Sequence, residues 1–173
     1  MEIRALRESD ERSSFRSGDP DLDRFLHRFA AQNQFRHFLG VTYVAIDEGQ
    51  VLGFATVAPA HIEIERLPAA ARSKLPHYPL PVLRLARLAV DMTVQGQGLG
   101  SELLRFVLQL ASRMAGEYGC IGVLVDAKPE AEAFYAKYGF FPVEALEGHS
   151  HARPRQRAMF LGLGAIKAAA SGV

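Results

Sequence analysis

The chain has 173 residues, 49% of them hydrophobic and 23% charged, which excludes a disordered chain, a collagen-like fibre and a coiled coil. We expect one domain over residues 1–173. Its 20 Lys and Arg residues oppose 19 Asp and Glu residues, so a nucleic acid ligand would need a local concentration of positive charge. With Cys120 as its one cysteine, the chain has neither an internal disulfide nor a cysteine-based metal cluster. The sequence has no signal-like or membrane-spanning apolar run, so we expect a cytoplasmic protein.

The N-terminal segment predicts an edge strand followed by an amphipathic helix. The strand covers residues 1–6. Asp19 is suited to be the N-cap and Pro20 the first residue of a helix that continues over residues 21–34. Four apolar side chains recur at helical spacing and predict its buried face. They are Leu22, Phe25, Leu26 and Phe29.

The middle of the chain predicts β-structure interrupted by a proline-rich loop. Two β-forming runs flank the turn residues 47–50, which indicates a hairpin. Four prolines within residues 66–81 predict a loop with one short helix. The predicted strands are residues 41–46, 51–59, 61–65 and 82–90.

The rest of the chain predicts alternating helices and strands. A long helix with a broad apolar stripe follows a glycine-rich turn. The order of elements predicts a mixed α/β fold around one sheet. The predicted elements are the turn at 94–100, a helix to about Tyr118, a strand at 121–125, a helix from Pro129 to Tyr138 with Gly139 after it, a strand at 158–163 and a short helix in the ending AIKAAASGV.

The turn Gln95-Gly96-Gln97-Gly98-Leu99-Gly100 lies between a strand and a long helix, where it suits a phosphate ligand. Glycines let backbone N–H groups approach a ligand, and the helix N-terminus adds partial positive charge. The absence of Gly-Lys-Ser/Thr excludes a P-loop, and Ser101 excludes the third glycine of a dinucleotide fingerprint. The alternative is a turn that only connects a strand to a helix.

Three motifs together resemble the GNAT family of N-acetyltransferases: Arg87-Leu88-Ala89-Val90-Asp91, Gln95-x-x-Gly98-x-Gly100 and Phe134-Tyr135-x-Lys137-x-Gly139-Phe140. The resemblance implies an α/β (α+β) GNAT fold, whose central, mixed, mostly antiparallel, splayed β-sheet is flanked by helices. It implies acetyl-CoA as co-substrate, in a gap between the strands at 82–90 and 120–127. The implied acetyl-CoA-binding residues are Leu88, Val90, Gln95, Gly96, Gly98, Leu99, Gly100 and Ser101.

Tyr135 occupies the position at which the GNAT resemblance implies the general acid of acetyl transfer. Acetyl transfer releases a thiolate, whose thiol has a pKa of about 8.5, and tyrosine, with a pKa of about 10, is protonated at neutral pH and can donate to it. The alternative for Tyr135 is a core tyrosine at a helix–sheet interface. Tyr138, three residues further on and on a neighbouring face, is expected to be structural. Glu63 and Glu65 are expected on a strand, either relaying a proton through water or simply solvated.

A narrower resemblance is to the acetyltransferase toxins of type II toxin–antitoxin modules. Phe15-Arg16-Ser17-Gly18, Leu22-Asp23-Arg24-Phe25-Leu26 and Ala30-Ala31-Gln32-Asn33-Gln34 carry it. It implies acetylation of the α-amino group of aminoacyl-tRNA, which blocks translation, with a ribbon-helix-helix antitoxin as partner and a homodimer as a further expectation. Ser17 replaces a cysteine that this group often has, and Glu144–Gln156 is longer than expected.

Positive charge is in excess in residues 61–90 and 141–173, and negative charge in residues 1–60 and 91–140. If tRNA is the substrate, the two positive segments are candidates to hold its phosphates; otherwise they are a solvated loop and tail. His149 and His151 are expected to be loop residues, and no metal is expected. The candidate tRNA-binding residues are Arg66, Arg72, Lys74, Arg84 and Arg87, with Arg153, Arg155 and Arg157 in the second segment.

Two other functions stay open. One is a GNAT enzyme that acetylates a small amine, a polyamine or a protein N-terminus. The other is a non-catalytic CoA-binding module, against which the glycine turn and Tyr135 argue together.

Overall fold

The structure, a computed structural model, describes residues 1–144 and 156–171. Within these residues seven strands form one sheet in the order β1-β2-β3-β4-β5-β7-β6. The strands are β1 (Glu2–Ala5), β2 (Val41–Asp47), β3 (Gln50–Ile62), β4 (Leu80–Val90), β5 (Gly122–Ala127), β6 (Phe141–Pro142) and β7 (Arg157–Gly162). The α-helices are α1 (Pro20–Arg24), α2 (Ala30–Phe35), α3 (Ala69–Arg72), α4 (Leu99–Glu117), α5 (Glu132–Lys137) and α6 (Leu163–Ser171). The predicted mixed α/β fold is confirmed.

The described chain divides into two compact units. The first comprises Met1–Ala58 and Leu85–Gln109, and the second comprises Pro59–Arg84 and Leu110–Val173. That residues 1–173 act as a single domain stays a prediction. No helix in the described part of the chain is long and apolar enough to cross a membrane.

In the first unit, β1, β2 and β3 pair antiparallel, with β1 at the edge of the sheet as predicted. The turn between β2 and β3 has Glu48 and Gly49 both at positive φ, +47° and +80°. Two such residues make the tight turn whose twist matches that of an antiparallel hairpin. The hairpin predicted from the residues at 47–50 is therefore confirmed.

The predicted N-terminal helix forms, but a turn of π-helix at Phe25–Phe29 interrupts it. Its start is as expected, since the Asp19 side chain accepts hydrogen bonds from the N–H groups of Asp21 and Leu22. Within the π turn, Ala30 N–H donates to Phe25 O, five residues back. This wider turn shifts the following residues by one position, so Ala30 faces the core and Phe29 is 44% exposed. The prediction that Phe29 is buried was wrong for this reason.

The core of the first unit is built around aromatic rings. The Phe54 ring packs edge-on against Phe15, with centroids 5.5 Å apart, and is stacked on Phe25 at 6.1 Å. Ala89 of β4 joins the same cluster. On α4, the predicted apolar stripe is confirmed, and its fully buried members begin with Leu103 and Leu104.

In the second unit, β3 ends at Ile62, earlier than the predicted strand at 61–65. A turn of 3₁₀ helix, Ile64–Arg66, follows and is closed by Leu67 N–H donating to Ile64 O. The turn buries Ile64 in the same cluster as Ile62. Glu63 and Glu65 are exposed and lie outside the strand, which corrects their predicted place.

Gly122 of β5 is a site where no side chain fits. A Cβ atom there would lie 2.6 Å from Phe160 Cζ and in closer contact still with Leu161 O of the paired strand β7. We expect Gly122→Ala to lower the free energy of unfolding by about 3 kcal/mol, because a paired backbone oxygen cannot move away cheaply. Urea unfolding measures this loss. The control is Gly164→Ala in α6, where a Cβ atom would have no neighbouring atom within 4 Å. Equal stability of the two variants would contradict the close approach.

Cys120 precedes β5 and is buried, and its Sγ lies 3.2 Å from Gly122 O as a hydrogen-bond donor. Burial raises the pKa of this thiol, while backbone hydrogen bonds oppose the rise. The thiol is therefore neutral at physiological pH. Among the described residues, no group of three His, Cys, Asp or Glu side chains is placed to hold a metal ion.

Candidate active site

The glycine turn before α4 presents open backbone. Gly96 and Gly98 have φ of +77° and +92°, and a Cβ atom at either position would meet nothing within 4 Å. Residues 95–98 are exposed, whereas Leu99 is buried and anchors the first turn of α4. Because space and helix-terminal N–H groups occur together here, the turn fits a pyrophosphate ligand such as that of acetyl-CoA.

Gln95 fastens the start of this turn. Its side-chain Nε2 donates to Val90 O at 2.9 Å and to Ser17 O at 2.8 Å. The turn is thus tied both to the end of β4 and to the loop before α1. Ser17 is itself held, since its N–H and Oγ both donate to Asp23 Oδ1, at 2.8 and 2.6 Å.

Asp91 is the second link between the turn and the N-terminal loop. One carboxylate oxygen accepts from Arg16 N–H at 2.8 Å, and the other accepts from Thr93 N–H at 3.0 Å and Thr93 Oγ at 2.6 Å. Only 8% of the residue is exposed. Burial acts to raise the pKa of Asp91, but the hydrogen bonds from Thr93 and Arg16 outweigh it and the pKa is lowered.

The Asp91 carboxylate should make the free energy of unfolding depend on pH. Asp91→Asn turns one acceptor oxygen into an NH₂ group that faces a donor, so we expect a loss of about 1–2 kcal/mol at pH 7. Because the folded pKa is lowered, the stabilisation is complete above the unfolded value of about 3.9 and is lost as pH falls through the folded pKa. Urea unfolding should therefore show that the difference in free energy of unfolding between the wild type and Asp91→Asn becomes smaller from pH 7 to pH 3. The exposed Asp21→Asn is the control, and a gap that is constant with pH would argue against this role.

Leu88 and Val90 lie on the face of β4 opposite Ala89, because side chains alternate along a strand. Ala89 is buried in the core of the first unit, while Leu88 and Val90 are half-buried. The side chains of Leu88 and Val90 therefore share the face of β4 that is turned away from this core, and their contact with acetyl-CoA stays a prediction. With Gly100 and Ser101 in the first turn of α4, all eight predicted acetyl-CoA residues belong to the first unit.

Tyr135 lies in the second unit, on α5. It is 5% exposed, and its ring packs edge-on against Phe134 at 5.2 Å and Phe140 at 5.5 Å. Burial raises the pKa of its hydroxyl. Tyr138, which unlike Tyr135 was predicted to be structural, contacts Phe134 with ring centroids 5.4 Å apart and is half-buried. The ring of Tyr135 is thus fixed by packing, and its hydroxyl stays protonated.

The predicted tRNA-binding residues differ in how their charges are engaged. Arg84 forms an ion pair with Asp126 at 2.7 Å, and Arg66 Nε donates to Glu144 O at 2.7 Å. The Arg87 guanidinium lies 3.8 Å from the centre of the Phe25 ring. Arg72 is half-buried and Lys74 is exposed. Arg157 approaches Glu132 at 3.5 Å, while His149, His151, Arg153, Arg155 and most of the Glu144–Gln156 segment lie outside the described residues.

Two residues that fasten the turn had no predicted role. In the sequence, Asp91 is only the last residue of a motif, and Ser17 is only a replacement for cysteine. A signal was available for Asp91, since a carboxylate directly after a buried strand and two residues before Thr93 is suited to cap a turn. The contact with Arg16, 75 positions away, has no local signal.

Three comparisons place the chain among known proteins. The family model described as acetyltransferase (GNAT) domain matches residues 39–142. The tRNA-acetylating toxin of Mycobacterium tuberculosis is 37% identical over 140 residues, which cover 79% of this chain and 82% of that protein. A solved structure of AtaT complexed with acetyl-methionyl-tRNAfMet is 26% identical, with a TM-score of 0.84 over 97% of this chain and 98% of that one.

A second solved structure, AtaTR bound with AcCoA, is also 26% identical, with a TM-score of 0.79 over 97% of this chain and 96% of that one. The family match extends over more than half of the chain and includes both the glycine turn and Tyr135. The chain therefore belongs to the GNAT family of acetyltransferases and, within it, groups with the tRNA-acetylating toxins.

Proposed function

We propose that the protein is an acetyl-CoA-dependent N-acetyltransferase toxin that acetylates the α-amino group of aminoacyl-tRNA and so blocks translation. The observation that carries this is the 37% identity to a tRNA-acetylating toxin over 140 residues, in a chain whose glycine turn fits a pyrophosphate. An aminoacyl-tRNA substrate implies action in the cytoplasm. A ribbon-helix-helix antitoxin as partner, a homodimer and a single domain belong to the same proposal.

Acetyl-CoA supplies the acetyl group as an activated thioester. The chain contributes binding through the backbone N–H groups of the turn at Gly96 and Gly98 and the N-terminus of α4, with Leu88 and Val90 bordering the pantetheine arm. Tyr135 holds a proton at Oη. Since burial raises the pKa of Tyr135, that proton is in place throughout the physiological range and serves the departing thiolate.

The acceptor amine needs little help from the protein. An aminoacyl ester lacks the free carboxylate that keeps the α-amine of an amino acid basic, so its amine deprotonates more easily. Holding the amine beside the thioester then supplies much of the acceleration. We assign contacts with tRNA phosphates to Arg66, Arg72, Lys74, Arg84 and Arg87. Of these, Lys74 and Arg84 are exposed, and the Arg87 guanidinium lies over the Phe25 ring.

The test is a transfer assay with acetyl-CoA labelled in the acetyl group. We expect label on the amino acid of a mixture of charged bacterial tRNAs, released as N-acetyl-amino acid by mild alkali, and none on deacylated tRNA. Spermidine, free amino acids and a peptide with a free N-terminus serve as alternative acceptors. Transfer to one of these at a higher kcat/KM than to any aminoacyl-tRNA would replace this function by that of a small-amine or N-terminal acetyltransferase.

A further inference from the structure

A stripe of polar residues borders an open cleft in the first unit. Its polar helical members are Asp23, Arg24, His27 and Arg28, and Pro20 at the start of the helix also lines the cleft. Arg16, from the loop before α1, completes the lining of a cleft of about 420 Å³. We call these six residues the arginine cleft.

The arginine of the loop is held in position. Arg16 Nη1 donates to Ser13 O at 2.6 Å and to Phe15 O at 2.7 Å. His27 Nε2 lies 2.9 Å from the same Phe15 O and 3.3 Å from Arg16 Nη1. Two nitrogen-bearing side chains thus converge on one backbone carbonyl, which fixes the guanidinium at the rim of the cleft.

The acidic residues nearby do not neutralise the cleft. Asp23 is engaged by the N–H and hydroxyl of Ser17. Asp21 pairs with Arg24 at 2.7 Å, but both side chains are well exposed, and such a pair exchanges its partners at little cost. Arg28 is exposed. Asp23 keeps its charge, because Ser17 supplies only neutral donors, but among the six residues that line the cleft three arginines outnumber this one carboxylate.

The local backbone also sets this helix apart. The π turn Phe25–Phe29 includes both His27 and Arg28, and π turns are rare and concentrate at functional sites. The cleft is also joined to the glycine turn, because Arg16 N–H donates to Asp91 and Ser17 O accepts from Gln95. A ligand in the cleft would therefore contact the loop that fastens the candidate acetyl-CoA turn.

We propose that the arginine cleft binds phosphate groups of the tRNA substrate; this rests on the proposed function. Guanidinium groups match phosphate oxygens in a two-pronged geometry. Arg24 directly precedes the π turn and Arg28 lies within it, and both line the cleft. A nucleic acid strand, with a phosphate at every nucleotide, can engage both, whereas the terminal phosphate of a coenzyme is a single group. A nucleic acid strand therefore accounts for the presence of both arginines better than a single coenzyme phosphate does.

The experiment compares the Arg24→Ala/Arg28→Ala double variant with the wild type and with Arg105→Ala, an exposed arginine of α4 in the same unit. For the double variant we expect KM for aminoacyl-tRNA to rise at least about tenfold, with kcat and KM for acetyl-CoA unchanged. The slope of log KM against log salt concentration should fall by about one to two, one for each phosphate that the variant no longer binds. Arg105→Ala should behave as the wild type.

The outcomes separate this proposal from the function on which it rests. If the wild type acetylates no aminoacyl-tRNA, the proposed function fails. If the wild type is active and the double variant matches Arg105→Ala in KM and in salt slope, the tRNA assignment of the cleft is wrong. A KM that rises for acetyl-CoA but not for acetyl-dephospho-CoA would assign the phosphate in the cleft to the coenzyme and overturn it as well.

Discussion

Tyr135→Phe is expected to lower kcat for acetyl transfer by about 10²–10⁴-fold, the range over which general acid catalysis contributes. The ring contacts with Phe134 and Phe140 survive the change, so the free energy of unfolding should fall only slightly. Acetyl-CoA affinity, measured by calorimetry, should hardly change, because the proposed phosphate and pantetheine contacts are made by other residues. Expression of the wild type in bacteria should arrest growth, and expression of the variant should not.

Tyr138→Phe is the matched control, since it removes the same hydroxyl from a half-buried ring on the next turn of chain. It should keep full activity. The pH profile gives an independent check: burial raises the pKa of Tyr135, so the wild-type rate should not fall through loss of this proton below pH ~10. A fully active Tyr135→Phe enzyme would make Tyr135 a packing residue, and the thiolate would then take its proton from water or another group.

Gly98→Asp is expected to weaken acetyl-CoA binding by about 3 kcal/mol, or roughly a hundredfold in Kd. The substitution places a carboxylate where the turn fits a pyrophosphate, so two negative charges meet at close range. It also forces a side chain onto a backbone with φ of +92°, a conformation that glycine adopts more easily than other residues. Calorimetric titration with acetyl-CoA measures the loss.

Gly98→Asn separates the two causes. Asparagine has nearly the shape of aspartate, tolerates positive φ better than most residues and carries no charge. We expect it to lose about tenfold or less in affinity, so the gap between the two variants is the electrostatic part, and added salt should narrow it. If aspartate and asparagine bind acetyl-CoA equally well, the phosphates are not at this turn.

Local signals were enough to predict most of the fold. Asp19 and Pro20 mark a helix start by side-chain capping and a preset φ, and the turn residues around Gly49 mark a hairpin because they lie between two β-forming runs and glycine adopts positive φ at little cost. The π turn at Phe25–Phe29 had no such signal, because its sequence has ordinary helical spacing and only tertiary packing selects the wider turn. The same holds for the 3₁₀ turn at Ile64–Arg66, whose alternating pattern equally suits a strand.

The site was predictable only in part. Glycine spacing before a long helix has a direct physical meaning, so the sequence predicts the open turn that the structure shows, and acetyl-CoA binding there stays a prediction. The arginine cleft was not predicted from the sequence. Residues 1–60 carry more acidic than basic residues, and the net charge of a segment does not show where its individual charges lie. In the structure, Asp10 is paired with Arg4 and Asp23 accepts from Ser17, while Arg16 and Arg28 share one cleft with Arg24, whose ion pair with Asp21 is exposed. Only the three-dimensional arrangement separates the engaged charges from the accessible ones.

The buried Cys120 has a practical consequence for studying this enzyme. Each turnover releases coenzyme A with a free thiol, which aromatic disulfide reagents detect by colour. Such reagents react with exposed thiolates, and Cys120, the one cysteine of the chain, is neither exposed nor ionised at assay pH. The folded protein should therefore give almost no background colour, turnover can be followed continuously, and a slow rise in protein-derived colour would report unfolding during the assay.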